Sequence, residues 1–350
     1  MYSRNNSVYR NNTTFNNSIS NSRSNNKLNN AVLLKRNKTA SEREYFIKLA
    51  KQYSKCAPYI KQGTKKKKRS TKLKTNMFKS AVSQSCYDRN EINKIIKLYN
   101  KYNKYKKIII PKTKSKDIKY KYNILKDTLS KKCDDNEYCW LKQRYITPNV
   151  REQLKSNFKI EMPNKWYDDH DMWLNTFDIE NVLFQYEIKF PEFAFLGATP
   201  IDFEHKFRDG DCVENKLCRL SLKNLIKRKK KYLGVVFNLD NHKQPGSHWI
   251  SMFCNIPKRE ICYWDSYGYK PPKEVSDLMN KIKKQGEKIN KKFKIKINNI
   301  RHQYNNSECG VYSIHFIVRQ LEGDTFEKIT KRKMSDKLMN TYRSKYFNPY

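Results

Sequence analysis

The sequence lacks any run of about 18 apolar residues, so it predicts no membrane-spanning helix in its 350 residues. Glycine and proline are scarce, at 9 and 11 residues, while aromatic residues are plentiful, and much of the chain is therefore expected to fold. The nine cysteines are odd in number and form no CxxC pair, so no zinc site is predicted. No apolar signal segment opens the sequence, and these absences together predict an intracellular, reducing location.

Acidic residues are few as well, with 34 Asp and Glu against 74 Lys and Arg and a net charge of +40. Residues 1–150 contain 37 basic and 9 acidic residues, so most of the excess positive charge lies in the first part of the chain. A basic segment of this kind indicates a polyanionic partner, whether nucleic acid, an acidic membrane surface or an acidic protein. The alternative is that lysine only keeps the surface solvated, and both interpretations stay open.

Composition divides the chain into three parts. Residues 1–40 are rich in Asn and Ser and are predicted to be a disordered tail. Residues 41–132 are predicted to be a basic, partly helical arm, with one helix near Glu91–Tyr99 and with interleaved lysines and tyrosines that suit DNA or another polyanion. From residue 133 to residue 350 the apolar and aromatic positions become regular, which indicates a folded domain.

Helix and strand patterns alternate in this domain. Apolar spacing predicts helices at 171–188, 220–232, 275–289 and 309–321, and strands at 193–203, 233–239, 248–255, 260–266 and 293–300. The predicted fold class is α+β, with a mixed, antiparallel-rich central sheet packed by helices and preceded by the disordered and helical basic region.

A candidate nucleophile, Cys309, lies where the last of these helices begins. Unpaired backbone N–H groups and the helix dipole favour a thiolate there. His248 begins one predicted strand and Asp265 ends the next, and adjacent antiparallel strands would bring the two together as base and orienting carboxylate. Gln303 and the backbone N–H of Cys309 are the expected oxyanion donors. Each residue alone has an ordinary structural role open to it, but the combination indicates a thiol hydrolase.

These residues stand in the contexts GSHWISMF, ICYWDSYG and QYNNSECGVYS. In this order they make the segment from about residue 138 onward resemble the Ulp-type/adenovirus-protease clan of cysteine proteases (clan CE). With FLGATPIDF and LGVVFNLDNHKQPG, the segment is most similar to the Ulp-like polyprotein-processing proteases of large cytoplasmic DNA viruses, the African swine fever virus type. The resemblance implies a Ulp/adenain-like catalytic domain at 133–350, without metal or other cofactor, in which His248, Asp265, Cys309 and Gln303 are catalytic.

The resemblance also implies a substrate. In SUMO proteases two tryptophans flank a narrow tunnel for a Gly-Gly segment, and the matching residues here are Trp173 and Trp249. Only glycine, which has no Cβ, fits between two indole rings that close on the main chain. The expected activity is therefore cleavage after Gly-Gly (Gly-Gly-X) in viral structural polyproteins during virion maturation, in the host cytoplasm at the virus factory and in the virion.

Two alternatives remain. The first has the same chemistry and is a deconjugating isopeptidase for SUMO or another ubiquitin-like protein. Thr176 departs from that group, because SUMO proteases usually carry Asp at the matching position. The second is a nucleic-acid-binding virion protein that acts through residues 1–132, for which binding would weaken steeply with salt.

Overall fold

A helical region precedes the sheet. The computed structural model describes residues 56–57, 85–169 and 171–349. Four α-helices lie between residues 85 and 159: α1 Arg89–Tyr102, α2 Ile118–Cys133, α3 Glu137–Trp140 and α4 Pro148–Lys155. Asp88 caps α1, and Glu91 completes the capping box, so the helix predicted near Glu91–Tyr99 is confirmed. The predicted tail at 1–40 and most of the arm before residue 85 lie outside the described residues.

The helices of this region bury a hydrophobic cluster of their own. It runs from Cys86 and Tyr87 through Leu125 of α2 to Trp140 of α3 and Phe158. Cys133, the predicted start of the second domain, is the last residue of α2 and belongs to this cluster. The packed unit therefore extends about 25 residues beyond the point at which the composition changes.

Seven strands follow in the chain: β1 Ile160–Glu161, β2 Phe193–Pro200, β3 Tyr232–Asn238, β4 Trp249–Asn255, β5 Glu260–Trp264, β6 Lys294–Ile297 and β7 Phe347–Asn348. The central sheet has the order β2-β3-β4-β5-β6, while β1 and β7 form a separate parallel pair. The pairs β2–β3 and β5–β6 are parallel, and β3–β4 and β4–β5 are antiparallel. The sheet is therefore mixed, and the α+β fold class is confirmed.

Helices cover both faces of this sheet. The remaining helices are α5 Thr176–Lys189, α6 Asn215–Cys218, α7 Leu222–Lys227, α8 Lys273–Glu287, α9 Cys309–Leu321, α10 Phe326–Lys331, α11 Asp336–Thr341 and α12 Arg343–Tyr346. Side chains alternate along a strand, so Val236 of β3 packs with α5 and α9 while Val235 packs with α7 and α8. The buried helix α9 thus lies under the middle of the sheet, and its first residue lies at the edge where β4 begins.

Six of the cysteines form disulfides in the structure: Cys56–Cys86, Cys133–Cys139 and Cys212–Cys218. Cys254, Cys262 and Cys309 are free and buried. The count and spacing of the cysteines did not predict these pairs, because cysteine connectivity follows from the fold and cannot be read from sequence alone.

Candidate active site

His248 and Asp265 meet at one edge of the sheet, as the sequence predicts. The antiparallel register pairs Ser251 with Trp264, which puts the start of β4 next to the end of β5. His248 Nε2 lies 2.8 Å from Asp265 Oδ1, and the two residues are 7% and 1% exposed. The backbone N–H of Tyr267 also donates to Asp265 Oδ1, so the carboxylate is held in place behind the imidazole.

Cys309 contacts the same imidazole. Since Asp265 occupies Nε2, the nitrogen that remains for the thiol is Nδ1. Burial alone would lower the pKa of His248, but hydrogen bonds to Asp265 and Cys309 and their negative charges raise it to about 9. The three side chains therefore form one unit in which the imidazolium is the favoured form at neutral pH.

The first turn of α9 leaves its backbone donors open. Glu308 precedes Cys309 and makes no side-chain cap on the helix. Gly310 follows, and a Cβ at this position would lie 2.9 Å from the Cβ of Leu174. Glycine is therefore required here because the segment before α5 approaches the start of α9 so closely.

Gln303, six residues before Cys309 in the sequence, is fully buried, and both ends of its amide are engaged. Its Oε1 accepts a 2.6 Å hydrogen bond from the Ser266 hydroxyl, and its Nε2 donates to the Asn305 carbonyl at 2.8 Å. A flipped amide would set two carbonyl oxygens against each other at Asn305, so this neighbour fixes the nitrogen as the donor end. The second N–H group of Nε2 has no hydrogen-bond partner among the described residues.

Asp336 of α11 holds the loop that carries Gln303. Its Oδ2 accepts from the backbone N–H groups of Tyr304 and Asn305 at 2.9 and 3.0 Å. Its Oδ1 accepts from the Tyr312 hydroxyl of α9 at 3.1 Å. The Asp336 carboxylate therefore links the Gln303 loop to the helix that begins at Cys309. In the sequence, Asp336 lies 71 residues after Asp265, the other carboxylate of the site.

The two predicted tryptophans line one cavity of about 350 Å³, together with Leu174, Asn238 and Gly246. The Trp249 ring is buried, and its Nε1 donates to the Leu174 carbonyl at 2.8 Å. The Trp173 ring is 41% exposed and forms the outer wall. Trp249, the residue after His248, lines the cavity, whereas His248 and Cys309 are not among its lining residues.

The segment around Trp173 is not helical, which corrects the predicted helix at 171–188. Helix α5 begins only at Thr176, because Asn175 caps it and exchanges hydrogen bonds with Asp178. Residues near the C-terminus hold the preceding segment: Arg343 Nη2 donates to the Met172 carbonyl at 2.7 Å. The exposed indole therefore stands on a non-helical segment that is held by Arg343 on one side and by the start of α5 on the other.

Within the described ranges, no group of three or more His, Cys, Asp or Glu residues could hold a metal ion. None of the described helices is both long enough and apolar enough to cross a bilayer. The expected absence of a cofactor stays a prediction.

Sequence reasoning missed Ser266, Tyr267, Asn305 and Asp336. The Tyr267 ring stacks on the His248 ring with centroids 4.6 Å apart. Ser266 and Tyr267 directly follow Asp265, and Asn305 follows Gln303 by two positions, so sequence proximity was the available signal. No such signal existed for Asp336, because only the folding of the chain brings this residue next to the site.

Comparison with known proteins gives the family of this chain. Residues 207–349 match the model of the Ulp1 protease family, C-terminal catalytic domain. A protein of Acanthamoeba polyphaga mimivirus, classed by its name among thiol proteases, is 33% identical over 243 residues, which are 66% of this chain and 75% of that relative. The chain belongs to the Ulp1 protease family. It is therefore a cysteine protease, and the predicted enzyme class is confirmed.

Two further likenesses come from African swine fever virus. A cysteine protease of this virus is 28% identical to the Ulp1-family protease over 210 residues, 57% of this chain and 75% of that relative. The crystal structure of an African swine fever virus protease superposes with a TM-score of 0.52 at 22% identity, over 67% of this chain and 90% of that one. That likeness shows a common fold.

Proposed function

We propose that the protein is a cysteine endopeptidase that cleaves after Gly-Gly, with Cys309 as nucleophile, His248 as general base and acid, and Asp265 as the group that orients the imidazole. The observation that carries this proposal is the unit of three side chains at the start of α9, with a 2.8 Å bond between His248 and Asp265. The raised pKa of His248, about 9, supports a resting imidazolium that can donate a proton at neutral pH.

The reaction proceeds in two halves. In the resting site the proton of the Cys309 thiol is already on His248, and the thiolate sulfur attacks the glycine carbonyl carbon. Nε2 of Gln303 and the backbone N–H of Cys309 donate to the oxyanion. His248 then protonates the leaving amine, and the C–N bond breaks. A water molecule gives its proton to His248 and attacks the thioester, which releases the acid and returns the proton to the site.

Glycine specificity rests on the cavity between the two tryptophans. Trp249 is held by its hydrogen bond to the Leu174 carbonyl, and Gly310 lets the Leu174 segment approach the start of α9, so this wall of the cavity lies close to the helix that carries Cys309. A Cβ on either of the last two residues before the scissile bond would collide with an indole wall. The viral origin of both relatives supports processing of viral structural polyproteins, with action in the host cytoplasm and in the virion.

Internally quenched peptides test this specificity. A Gly-Gly-X peptide should be cleaved after the second glycine, whereas Ala-Gly-X and Gly-Ala-X peptides should lose on the order of 100-fold in kcat/KM, because the carbonyl is displaced from the thiolate. The Trp173→Ala variant lacks the outer wall of the cavity, so its kcat/KM values for the Gly-Gly-X peptide and for the two alanine-containing peptides should differ less. Equal cleavage of all three peptides by the wild-type enzyme would contradict the proposal.

A deconjugase is the second candidate function. The related protease of three African swine fever virus isolates carries the name SUMO-1 cysteine protease, which favours this function. The same assay separates the two functions when a SUMO or ubiquitin fusion is added as substrate. Cleavage of the short peptide supports an endopeptidase, and cleavage of the folded fusion alone supports a deconjugase.

The positive charge of the basic arm indicates a further binding partner. Described residues 85–132 contain 15 Lys and Arg against 4 Asp and Glu. We propose that residues 1–132 bind DNA or another polyanion and thereby localise the protease, through contacts that weaken with salt.

A further inference from the structure

We infer that a surface beside His248, made of Tyr267, Arg301, Tyr304 and Lys333, binds acidic side chains that follow the scissile bond of the substrate. These four residues form the cationic face. The inference rests on the proposed endopeptidase function and adds a substrate preference on the leaving-group side of the bond.

Rings and cations alternate along this surface, starting at the imidazole. The Tyr267 ring stacks on His248 with centroids 4.6 Å apart and an interplanar angle of 26°. The Arg301 guanidinium carbon lies 5.4 Å from the centre of the Tyr267 ring and 4.8 Å from that of Tyr304. Lys333 Nζ lies 4.9 Å from the centre of the Tyr304 ring. Cation–π contacts thus fix the positions of both charges.

The cationic face lies where the leaving group departs. His248 must protonate the amine that leaves, so the chain after the scissile bond passes the imidazole. The cavity between Trp173 and Trp249 takes the residues before the bond, and no residue of the cationic face lines it. Tyr304 follows Gln303 directly, and the Tyr267 hydroxyl donates to Asn305, so the face borders the oxyanion loop. A chain that leaves His248 therefore meets Tyr267 and then Arg301.

Both charges lack an acidic partner. In the parts of the chain that the structure describes, no carboxylate lies within 4.0 Å of Arg301 or Lys333. The carboxylate of the nearby Asp336 already accepts from Tyr304, Asn305 and Tyr312. Arg301 donates through Nε to the Gln303 carbonyl at 2.8 Å, which orients its two terminal nitrogens for a ligand. A guanidinium fixed in this way suits a carboxylate, which it binds through two parallel hydrogen bonds.

A pair of quenched Gly-Gly-X peptides tests this inference. They differ only at the second and third positions after the scissile bond, which are both Glu in one peptide and both Lys in the other. The wild-type enzyme should cleave the Glu peptide with about tenfold higher kcat/KM at low salt, and the ratio should shrink at high ionic strength.

Variants assign the preference to the two cations. Lys333→Gln should lower the Glu/Lys ratio about two- to fivefold, as expected for one exposed charge, and Arg301→Gln with Lys333→Gln should bring it near one. The matched control is Lys288→Gln, at the exposed end of α8 on the other side of the sheet, which should leave the ratio unchanged. The ratio is the readout because Arg301 also contacts the Gln303 loop, and a disturbed loop would slow both peptides alike.

Several outcomes would overturn the inference. Equal cleavage of the Glu and Lys peptides by the wild type would overturn it, and so would a Glu/Lys ratio of kcat/KM that is unchanged in the double variant. In both cases the endopeptidase proposal would stand. A face that binds a short oligonucleotide and ignores peptide charge would be a nucleic-acid contact instead. Failure to cleave either peptide would remove the proposed function and this inference with it.

Discussion

Replacing Cys309 by alanine is expected to abolish cleavage of the Gly-Gly-X peptide, with a fall in kcat/KM on the order of 10⁴-fold or more. The thiol is the one group in the site that can form the acyl intermediate, and the remaining oxyanion donors and substrate contacts account for little turnover without it. Steady-state kinetics with the peptide, alongside circular dichroism of the folded variant, measures this.

The matched control is Cys254→Ala. Cys254 is a free, buried thiol in β4, and burial raises its pKa well above the ordinary value, so it stays protonated and unreactive. Its removal should lower thermal stability but leave kcat/KM within a few-fold. Retained activity in Cys309→Ala would contradict the assignment of the nucleophile.

The Asp265→Asn variant is expected to lose about 10²- to 10⁴-fold in kcat. The amide places an N–H₂ group near Nε2 of His248, which favours the tautomer with the proton on Nδ1. That tautomer faces the thiol with a hydrogen and has no lone pair to take its proton. The pair with Asp265 helps to hold the pKa of His248 at about 9, so its loss lowers that pKa.

The pH dependence gives this variant a second readout. The imidazolium is the proton donor to the leaving amine, so wild-type activity should decline only as the pH rises through about 9. In Asp265→Asn the decline should begin at lower pH. The same change at Asp277, an exposed carboxylate of α8 that pairs with Lys273, is the control and should alter neither kcat nor the profile. If activity declined at the same high pH in Asp265→Asn as in the wild type, this would contradict the pairing of His248 with Asp265.

Local sequence patterns were enough to predict the central part of the fold. The strands at β3, β4 and β5 carry continuous apolar runs, and α9 carries apolar residues at spacings of three and four from Cys309 onward. In two adjacent antiparallel strands, the start of one lies next to the end of the other, independently of contacts elsewhere in the chain. For this reason the meeting of His248 with Asp265 followed from the order of elements.

Contacts between distant residues account for what the sequence could not predict. The segment around Trp173 has helix-like composition, yet it is not helical, and Arg343, about 170 residues later, donates a hydrogen bond to it. The orientation of Gln303 depends on Ser266 and Asn305, and the loop depends on Asp336. Neither spacing nor periodicity encodes such contacts. The helical cluster that runs past Cys133 to Phe158 likewise exceeds the boundary that composition predicts.

The most direct test of the central claim is covalent labelling with a Gly-Gly peptide that ends in an electrophilic vinyl ester, followed by mass-spectrometric mapping of the adduct. We expect one adduct per chain, on Cys309, and its loss when the two glycines of the probe are replaced by alanines or when His248 is replaced by alanine. Labelling of Cys254 or Cys262, or labelling of Cys309 that is indifferent to the two glycines, would contradict a Gly-Gly-specific protease with Cys309 as its nucleophile.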